Sequence, residues 1–329
     1  MKETFLTGIK PTGIIHLGNY FGAIKPAVDF SKNENFDCFY FIADYHALTS
    51  IKDAEKLKKY THHIACAWLA AGLDPKKVTL YRQSDVPEIF ELQTILSNVT
   101  PKGLMNRAHA YKAAVDKNRE NKNDDDNNIN MGLYSYPILM ASDILTFNTK
   151  KVPVGMDQKQ HLEMTRDIAK YFNKEFGKAI VVPREVINEK VSIVKGLDGR
   201  KMSKSYNNII ELFSSEENLK KKISKIQTDS TPPDEPKNTD NTLTDIYKLF
   251  ASEKQLDNFK QKLQDGISWA DAKKLVFNDL NEVIKPMRDL YEYYMNNEEV
   301  VEKILDNNAK KARKISKETL KRVKESIGV

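Results

Sequence analysis

The run Cys38-Phe39-Tyr40-Phe41-Ile42-Ala43 is apolar at every position, so it cannot alternate between a core face and a solvent face. Such a run suits a strand covered on both sides, as strands of a parallel sheet are. Its neighbours extend the pattern. Upstream, Thr4–Thr7 reads as a short strand entering the loop Gly8-Ile9-Lys10-Pro11-Thr12-Gly13, and a helix is expected from about Asn19 to Phe30. Downstream, Asp53 is placed to cap a helix reaching Ala71, with Gly72 suited to its end. Val78–Tyr81 predicts another strand and Pro87–Asn98 another helix. Lys151-Val152-Pro153-Val154-Gly155 then reads as a strand leading to a helix from Asp157 to Phe172.

Strands alternating with helices in this way predict an α/β fold, a Rossmann-like doubly wound parallel sheet. Beyond about Lys190 the pattern changes. Glu211 to Gly328 is almost wholly helical in periodicity, interrupted near Thr231-Pro232-Pro233-Asp234-Glu235-Pro236. The sequence therefore predicts a catalytic half at 1–192 and a smaller all-helical C-terminal domain at 193–329, with closing helices from about 296 able to return to the first half. In the last helix Leu305, Ala309, Ala312, Ile315, Thr319, Val323 and Ile327 recur three or four apart and predict one buried stripe. The tract Asp116 to Asn128 is rich in Asp, Asn and Lys and lacks apolar anchors, which predicts a mobile surface loop.

Composition narrows the class. The 329 residues are 40% hydrophobic and 30% charged, which fits a folded globular chain and not a disordered one. No apolar run approaches the roughly 20 residues that cross a bilayer. The opening Met1–Gly8 carries an early acid and lacks the apolar core of a signal peptide. Cys38 and Cys66 have no CxxC spacing and are expected to be reduced core residues, so a cytoplasmic protein without membrane partners is expected. Net charge is +6, of which Val301–Val329 supplies +5. A polyanion such as an RNA backbone could meet that end, although charge alone favours a solvated helix face.

Two segments carry chemistry. Gly199-Arg200-Lys201-Met202-Ser203-Lys204-Ser205 sets two lysines three apart among small and hydroxylated residues, after a glycine. Such a loop can follow phosphate charge as it moves to a leaving pyrophosphate. Near the start, Pro11-Thr12-Gly13-Ile14-Ile15-His16-Leu17-Gly18-Asn19-Tyr20 follows the first strand. Its glycines let backbone approach a nucleotide, and His16 and Asn19 offer hydrogen-bond donors. A third segment, Tyr136-Pro137-Ile138-Leu139-Met140-Ala141-Ser142-Asp143, is expected to open a helix with Pro137 in its first turn. Tyr136, Met140 and Asp143 then share one face. A carboxylate framed by an aromatic ring and a thioether suits an apolar ring with one N–H donor, but an ordinary core with a satisfied acid fits the same residues.

The lysine loop is the KMSKS signature of class I aminoacyl-tRNA synthetases letter for letter, and the His16 segment resembles their HIGH element. The strings Gly8–Tyr20, Tyr136–Leu145 and Val152–Glu163, with Thr165-Arg166-Asp167 following, resemble the tryptophanyl-tRNA synthetase family over about two-thirds of the chain. The resemblance implies activation of L-tryptophan by ATP and its transfer to tRNA(Trp), with catalytic roles for Lys201, Lys204 and His16. It implies ATP contacts from Lys10, Pro11, Thr12, Gly18, Asn19, Gly155, Asp157, Lys201, Met202, Ser203, Lys204 and Ser205. Asp143, Met140, Tyr136, Gln158 and His46 would surround tryptophan, with Asp143 reading the indole nitrogen. For His161, packing, capping and substrate contact all stay open.

A homodimer, an anticodon-binding helical half and Mg²⁺ carried with ATP are also implied. No cluster of Asp, Glu or His in the sequence suggests a protein cage for that ion. Two positions depart from the family. Lys10 stands where many bacterial members have glutamine, and Ala113 and Ala114 stand near an expected phosphate-binding lysine. Lys10, Lys112 or Lys117 could serve instead. The competing readings are tyrosine–tRNA ligase, a small-molecule nucleotidyltransferase, and a synthetase-like RNA-binding module.

Overall fold

A computed structural model describes residues 2–154, 159–187 and 193–329, with the side chains of 151–154 and 185–187 outside that description. The first half comprises β1 (Glu3–Ile9), α1 (Leu17–Asn19), a π-helical turn (Tyr20–Ile24), α2 (Lys25–Phe30), β2 (Phe36–Ile42), α3 (Asp44–Ala47), α4 (Ala54–Ala70) and β3 (Thr79–Arg82). A 3₁₀ turn (Gln83–Asp85) leads to α5 (Glu88–Ser97), α6 (Lys102–Met105), α7 (His109–Glu120), α8 (Met131–Thr146), β4 (Lys151–Val154), α9 (Lys159–Phe176) and β5 (Arg184–Ile187). After a second 3₁₀ turn (Lys204–Tyr206) the described elements are all helical: α10 (Glu216–Ser224), α11 (Thr242–Tyr247), α12 (Glu253–Gln264), α13 (Trp269–Asn296) and α14 (Glu298–Ile327).

β2 pairs in parallel with both β1 and β3, in register from Glu3↔Phe36 to Ile9↔Ile42 and from Phe39↔Thr79 to Ile42↔Arg82. Its last five residues are buried, which is why that run contains no polar position. β4 and β5 form a second parallel pair, and β4 lies beside β1. The spatial order β3-β2-β1-β4-β5 is the doubly wound one. In sheets of this order ligands bind at the carboxyl ends of the strands where the order reverses, here between β1 and β4.

Local signals set the boundaries. The Asp53 carboxylate caps α4 by accepting from the Lys56 N–H at 3.0 Å, and Gly72 ends the turn beyond it at φ +94°. Pro137 is a difference from the sequence reading: it sits inside α8, not in the first turn. The helix starts earlier because the Asn130 side chain accepts from the Leu133 N–H at 3.0 Å. The Asp/Asn-rich tract also differs. Its first part completes α7, and the rest is a turn stitched by Asn118 to the Asp125 and Asn127 carbonyls and by Arg119 to Asp125. Polar bonds supply the order that apolar burial does not.

The largest hydrophobic cluster is continuous from Leu17 and Trp68 to Leu219, Phe277 and Leu305. α14 runs along β3, α5 and α8 with Leu305, Ala309, Ala312, Thr319 and Val323 buried. Polar ties fasten it. Arg82 reaches Glu302 at 2.7 Å, and Arg313 pairs with the buried Glu88 at 2.9 Å. Cys38 and Cys66 are buried and unbridged. No described helix is long and apolar enough to cross a membrane.

Candidate active site

The segment after β1 turns tightly, with the Thr12 N–H donating to the Lys10 carbonyl at 2.9 Å and Gly13 at φ +116°. Backbone bonds then tie it to the chain beyond the lysine loop: Leu17 N–H to the Ile210 carbonyl at 2.9 Å and Leu212 N–H to the Ile15 carbonyl at 3.0 Å. Met202 is buried, and its sulfur accepts from the Gly18 N–H at 3.3 Å. A Cβ on Gly18 would lie 2.9 Å from His16 Nδ1, so this contact requires glycine. Asn208, buried, accepts from the Ser203 N–H at 2.8 Å and donates to Asp198 and to the Lys201 carbonyl.

The loop's backbone is therefore fixed while its cationic tips are not paired. Lys204 Nζ donates to the Thr12 carbonyl at 3.2 Å, Lys201 is exposed, and neither meets a carboxylate among the described residues. Partial desolvation lowers the Lys204 pKa. Burial, then the Lys204 charge, pushes the His16 imidazole down to about 4, so it is neutral near pH 7. Its Nδ1 has no partner among the described residues. Asn19 braces the turn by accepting from the His16 N–H at 3.2 Å. Two lysines, a neutral imidazole and an amide form a set of donors suited to a polyphosphate.

The second centre lies at the carboxyl ends of β2 and β3. Asp143, 1% exposed, projects from α8 and accepts from Gln83 Nε2 at 2.8 and 3.0 Å. His46 Nε2 lies 2.9 Å from Oδ2, the oxygen that takes the longer of the two Gln83 bonds. Burial raises the Asp143 pKa, and the bonds from His46 and Gln83 oppose that rise. Tyr136 stands edge-on to His46, with ring centroids 6.4 Å apart, and its hydroxyl lies 2.6 Å from His161 Nε2. Met140 packs against the cluster of Leu6, Phe39 and Phe147. Asp44 is buried below, held by the Ser84 hydroxyl and N–H and by the Tyr45 N–H. Lys10 Nζ donates to Thr49 Oγ1 at 2.8 Å, and Thr49 donates to the His46 carbonyl, so the two centres are linked through one hydroxyl.

Of the residues singled out in the sequence, Lys10, Thr12, His16, Gly18, Asn19, Met202, Ser203 and Lys204 share the first centre, and His46, Tyr136, Met140 and Asp143 share the second. Pro11 lies in the same loop as Thr12, and Ser205 N–H donates back to Ser203 Oγ at 3.3 Å. Gly155, Asp157 and Gln158 lie outside the described residues. Lys112 is exposed on α7. Sequence reasoning missed Gln83, whose only signal was a polar residue directly after a strand. It also missed a three-residue cluster that lines a pocket together with Asp44. His62, Glu298 and Glu302 bring ligand atoms within 4.8 Å of one another, although Glu302 is already taken up by Arg82.

A doubly wound sheet whose histidine loop is laced to a Lys-Met-Ser-Lys-Ser loop defines a class I aminoacyl-tRNA synthetase. Residues 2–285 match the family described as tRNA synthetases class I (W and Y), and the chain belongs to that family. It is 49% identical over 333 residues to the tryptophan–tRNA ligase of Pseudomonas putida, covering all of this chain and 74% of that one. The tryptophan–tRNA ligase of Neisseria meningitidis is 47% identical and is covered over 98% of its length. Among solved structures, tryptophanyl-tRNA synthetase from Campylobacter jejuni complexed with ADP and tryptophan superposes with a TM-score of 0.91 at 44% identity, over 99% of this chain and all of that one. Tyrosyl-tRNA synthetase from Aeropyrum pernix, at 17% identity and a TM-score of 0.65, shares the fold.

Proposed function

We propose that this chain activates L-tryptophan with ATP and transfers it to tRNA(Trp), a tryptophan–tRNA ligase activity. The observation that carries the amino acid choice is the buried Asp143 carboxylate, bonded to His46, whose ring Tyr136 meets edge-on, in a chain 47% and 49% identical to named tryptophan–tRNA ligases. An apolar ring with a single N–H donor satisfies that acid without charge of its own. The tryptophan carboxylate attacks the α-phosphorus of ATP. The new C–O–P link forms as the bond to the bridging oxygen breaks and pyrophosphate leaves. A ribose hydroxyl of the tRNA's terminal adenosine, the 2′-hydroxyl, then attacks the adenylate carbonyl, and AMP departs.

In this reading no side chain becomes a covalent nucleophile. Lys201 and Lys204 neutralise the leaving pyrophosphate, and His16 donates a hydrogen bond from its neutral ring. Lys10, Pro11, Thr12, Gly18, Asn19, Met202, Ser203 and Ser205 shape the ATP cleft. Gly155 and Asp157 would meet the ribose and Gln158 the amino acid. His46, Tyr136 and Met140 complete the tryptophan pocket around Asp143. Mg²⁺ would come with ATP. His16, Asn19, Lys201 and Lys204 offer no carboxylate to cage the ion, so phosphate oxygens and water would hold it, and it would add positive charge on the phosphates.

Residues 1–192 would form the catalytic unit and 193–329 the unit that carries the KMSKS loop and meets the anticodon. Past the KMSKS loop this unit carries none of the residues given catalytic roles, and its basic closing helix suits an RNA backbone. A homodimer working in the cytoplasm completes the reading. ATP–pyrophosphate exchange with tryptophan, tyrosine and phenylalanine tests it. Exchange with tryptophan alone is expected, while tyrosine-dependent exchange would overturn the pocket assignment and no exchange with or without tRNA would overturn the activity.

A further inference from the structure

Gln83 is fully buried, sits directly after β3 and belongs to no sequence motif that was read for function. Its side chain is bonded at both ends. The amide oxygen accepts from the His46 backbone N–H at 3.3 Å, and the amide nitrogen donates to both oxygens of Asp143 at 2.8 and 3.0 Å. This fixes the orientation of the amide. A flipped group would set its oxygen against the carboxylate and leave the His46 N–H facing an NH₂.

The consequence falls on Asp143. An amide NH₂ can only donate, and this one spans both oxygens of Asp143, an arrangement that favours the ionised carboxylate over the acid. His46 offers no such constraint, because its ring nitrogen can donate or accept. Gln83 is thus the neighbour that always donates to Asp143, favouring its ionised form and fixing the plane of the carboxylate. We propose that Gln83 is a specificity-positioning residue, holding Asp143 as an ionised, oriented acceptor for the N–H of an apolar substrate ring. This rests on the reading that Asp143 faces the amino acid. One Gln83 nitrogen spans both oxygens and His46 shares Oδ2, so Oδ1 is the less occupied oxygen and keeps room for a further donor. A pocket built this way accepts one N–H and penalises a ring of the same shape without it.

The test uses the full-length enzyme and compares tryptophan with β-(benzothiophen-3-yl)alanine, which keeps the shape and lacks the N–H. The ratio of kcat/KM values in ATP–pyrophosphate exchange measures how strongly the N–H is read. Gln83→Met should lower that ratio about tenfold to a hundredfold, through the KM for tryptophan, with the KM for ATP unchanged. Gln83→Glu sets a second carboxyl against the first so that the pair shares a proton, and the acid limb of kcat/KM for tryptophan should move toward neutrality. The other titratable groups facing Asp143 are His46 from α3 and Tyr81 from β3, unchanged in both variants. A wild-type ratio in Gln83→Met, or an unmoved acid limb in Gln83→Glu should the Met variant fail to fold, overturns the proposal. Asp143→Ala separates the two readings. If it keeps the wild-type ratio, Asp143 does not read the ring. If it collapses the ratio while Gln83→Met does not, only the role of Gln83 falls.

Discussion

The two centres solve opposite electrostatic problems. Around Asp143 the polar groups are largely matched internally: Gln83 and His46 meet the carboxylate, and Gln83 is met in turn by the His46 backbone. Around His16 the backbone is just as firmly tied, through Leu17, Leu212, Met202 and Asn208, yet the charged tips of Lys201 and Lys204 have no carboxylate partner among the described residues. A neutral ring brings little electrostatic energy, so its pocket must be organised beforehand. A polyphosphate brings several charges, and cations waiting without counter-ions gain most when it arrives. Rigid matching thus goes with discrimination and unmatched charge with rate.

If that division holds, the largest effect belongs to the lysines. Lys204→Ala should lower the rate of pyrophosphate exchange by about 10²- to 10³-fold, since it removes a cation aimed at charge that develops in the transition state. The KM for tryptophan should move little. Rapid-quench measurement of adenylate formation at saturating tryptophan checks this. A large rise in the KM for tryptophan with an unchanged rate would break the division, because the lysine would then be supporting the other pocket.

The converse change is Asp143→Ala, which should reduce kcat/KM for tryptophan by about 10²-fold, mostly through KM. A direction in pH goes with it. Burial raises the Asp143 pKa, so the ionised acceptor is lost at a higher pH than for an ordinary carboxyl. Tryptophan binding should weaken on acidification while ATP binding does not, and titration calorimetry with each ligand across pH 4.5 to 7 reads the difference. Parallel loss of both ligands would sink the claim that the two centres titrate separately.

Much of this was legible before any coordinates. The apolar run through Ile42 suits a strand covered on both faces, and it is the strand that pairs with both β1 and β3. The KMSKS and HIGH-like strings are local, so their residues could be named from sequence alone. What was not legible depended on contacts between distant elements. Gln83 gains its meaning from Asp143, sixty positions away, and nothing in its own neighbourhood announces that partner. The helix start at Met131 was missed because Pro137 was the louder signal, while the Asn130 side chain proved the better cap. The Asp/Asn-rich tract was read by hydrophobicity, which cannot register a turn closed by Arg119 and Asn118.

The smallest expected effect sharpens the comparison from the nucleotide side, where burial acts on a histidine that stays neutral. The unfolded chain binds a proton on His16 near pH 6.5, whereas the folded chain delays it until about pH 4. Between those values the unfolded state holds more protons, so stability falls as pH falls through the window, and above it His16 contributes no pH dependence. With about 1.4 kcal/mol per pKa unit, the loss on going from pH 7 to pH 4 is about 2 kcal/mol after allowing for residual solvent screening. Urea unfolding at pH 7 and pH 4.5 should therefore show a shallower acid loss in His16→Asn than in the parent chain, the carboxylates common to both cancelling in the difference. Equal acid losses would mean that His16 takes up its proton in the folded state as readily as in the unfolded one. The imidazole would then be a charged phosphate ligand in weakly acidic solution, and the contrast between a neutral donor at His16 and cations at Lys201 and Lys204 would have to be given up.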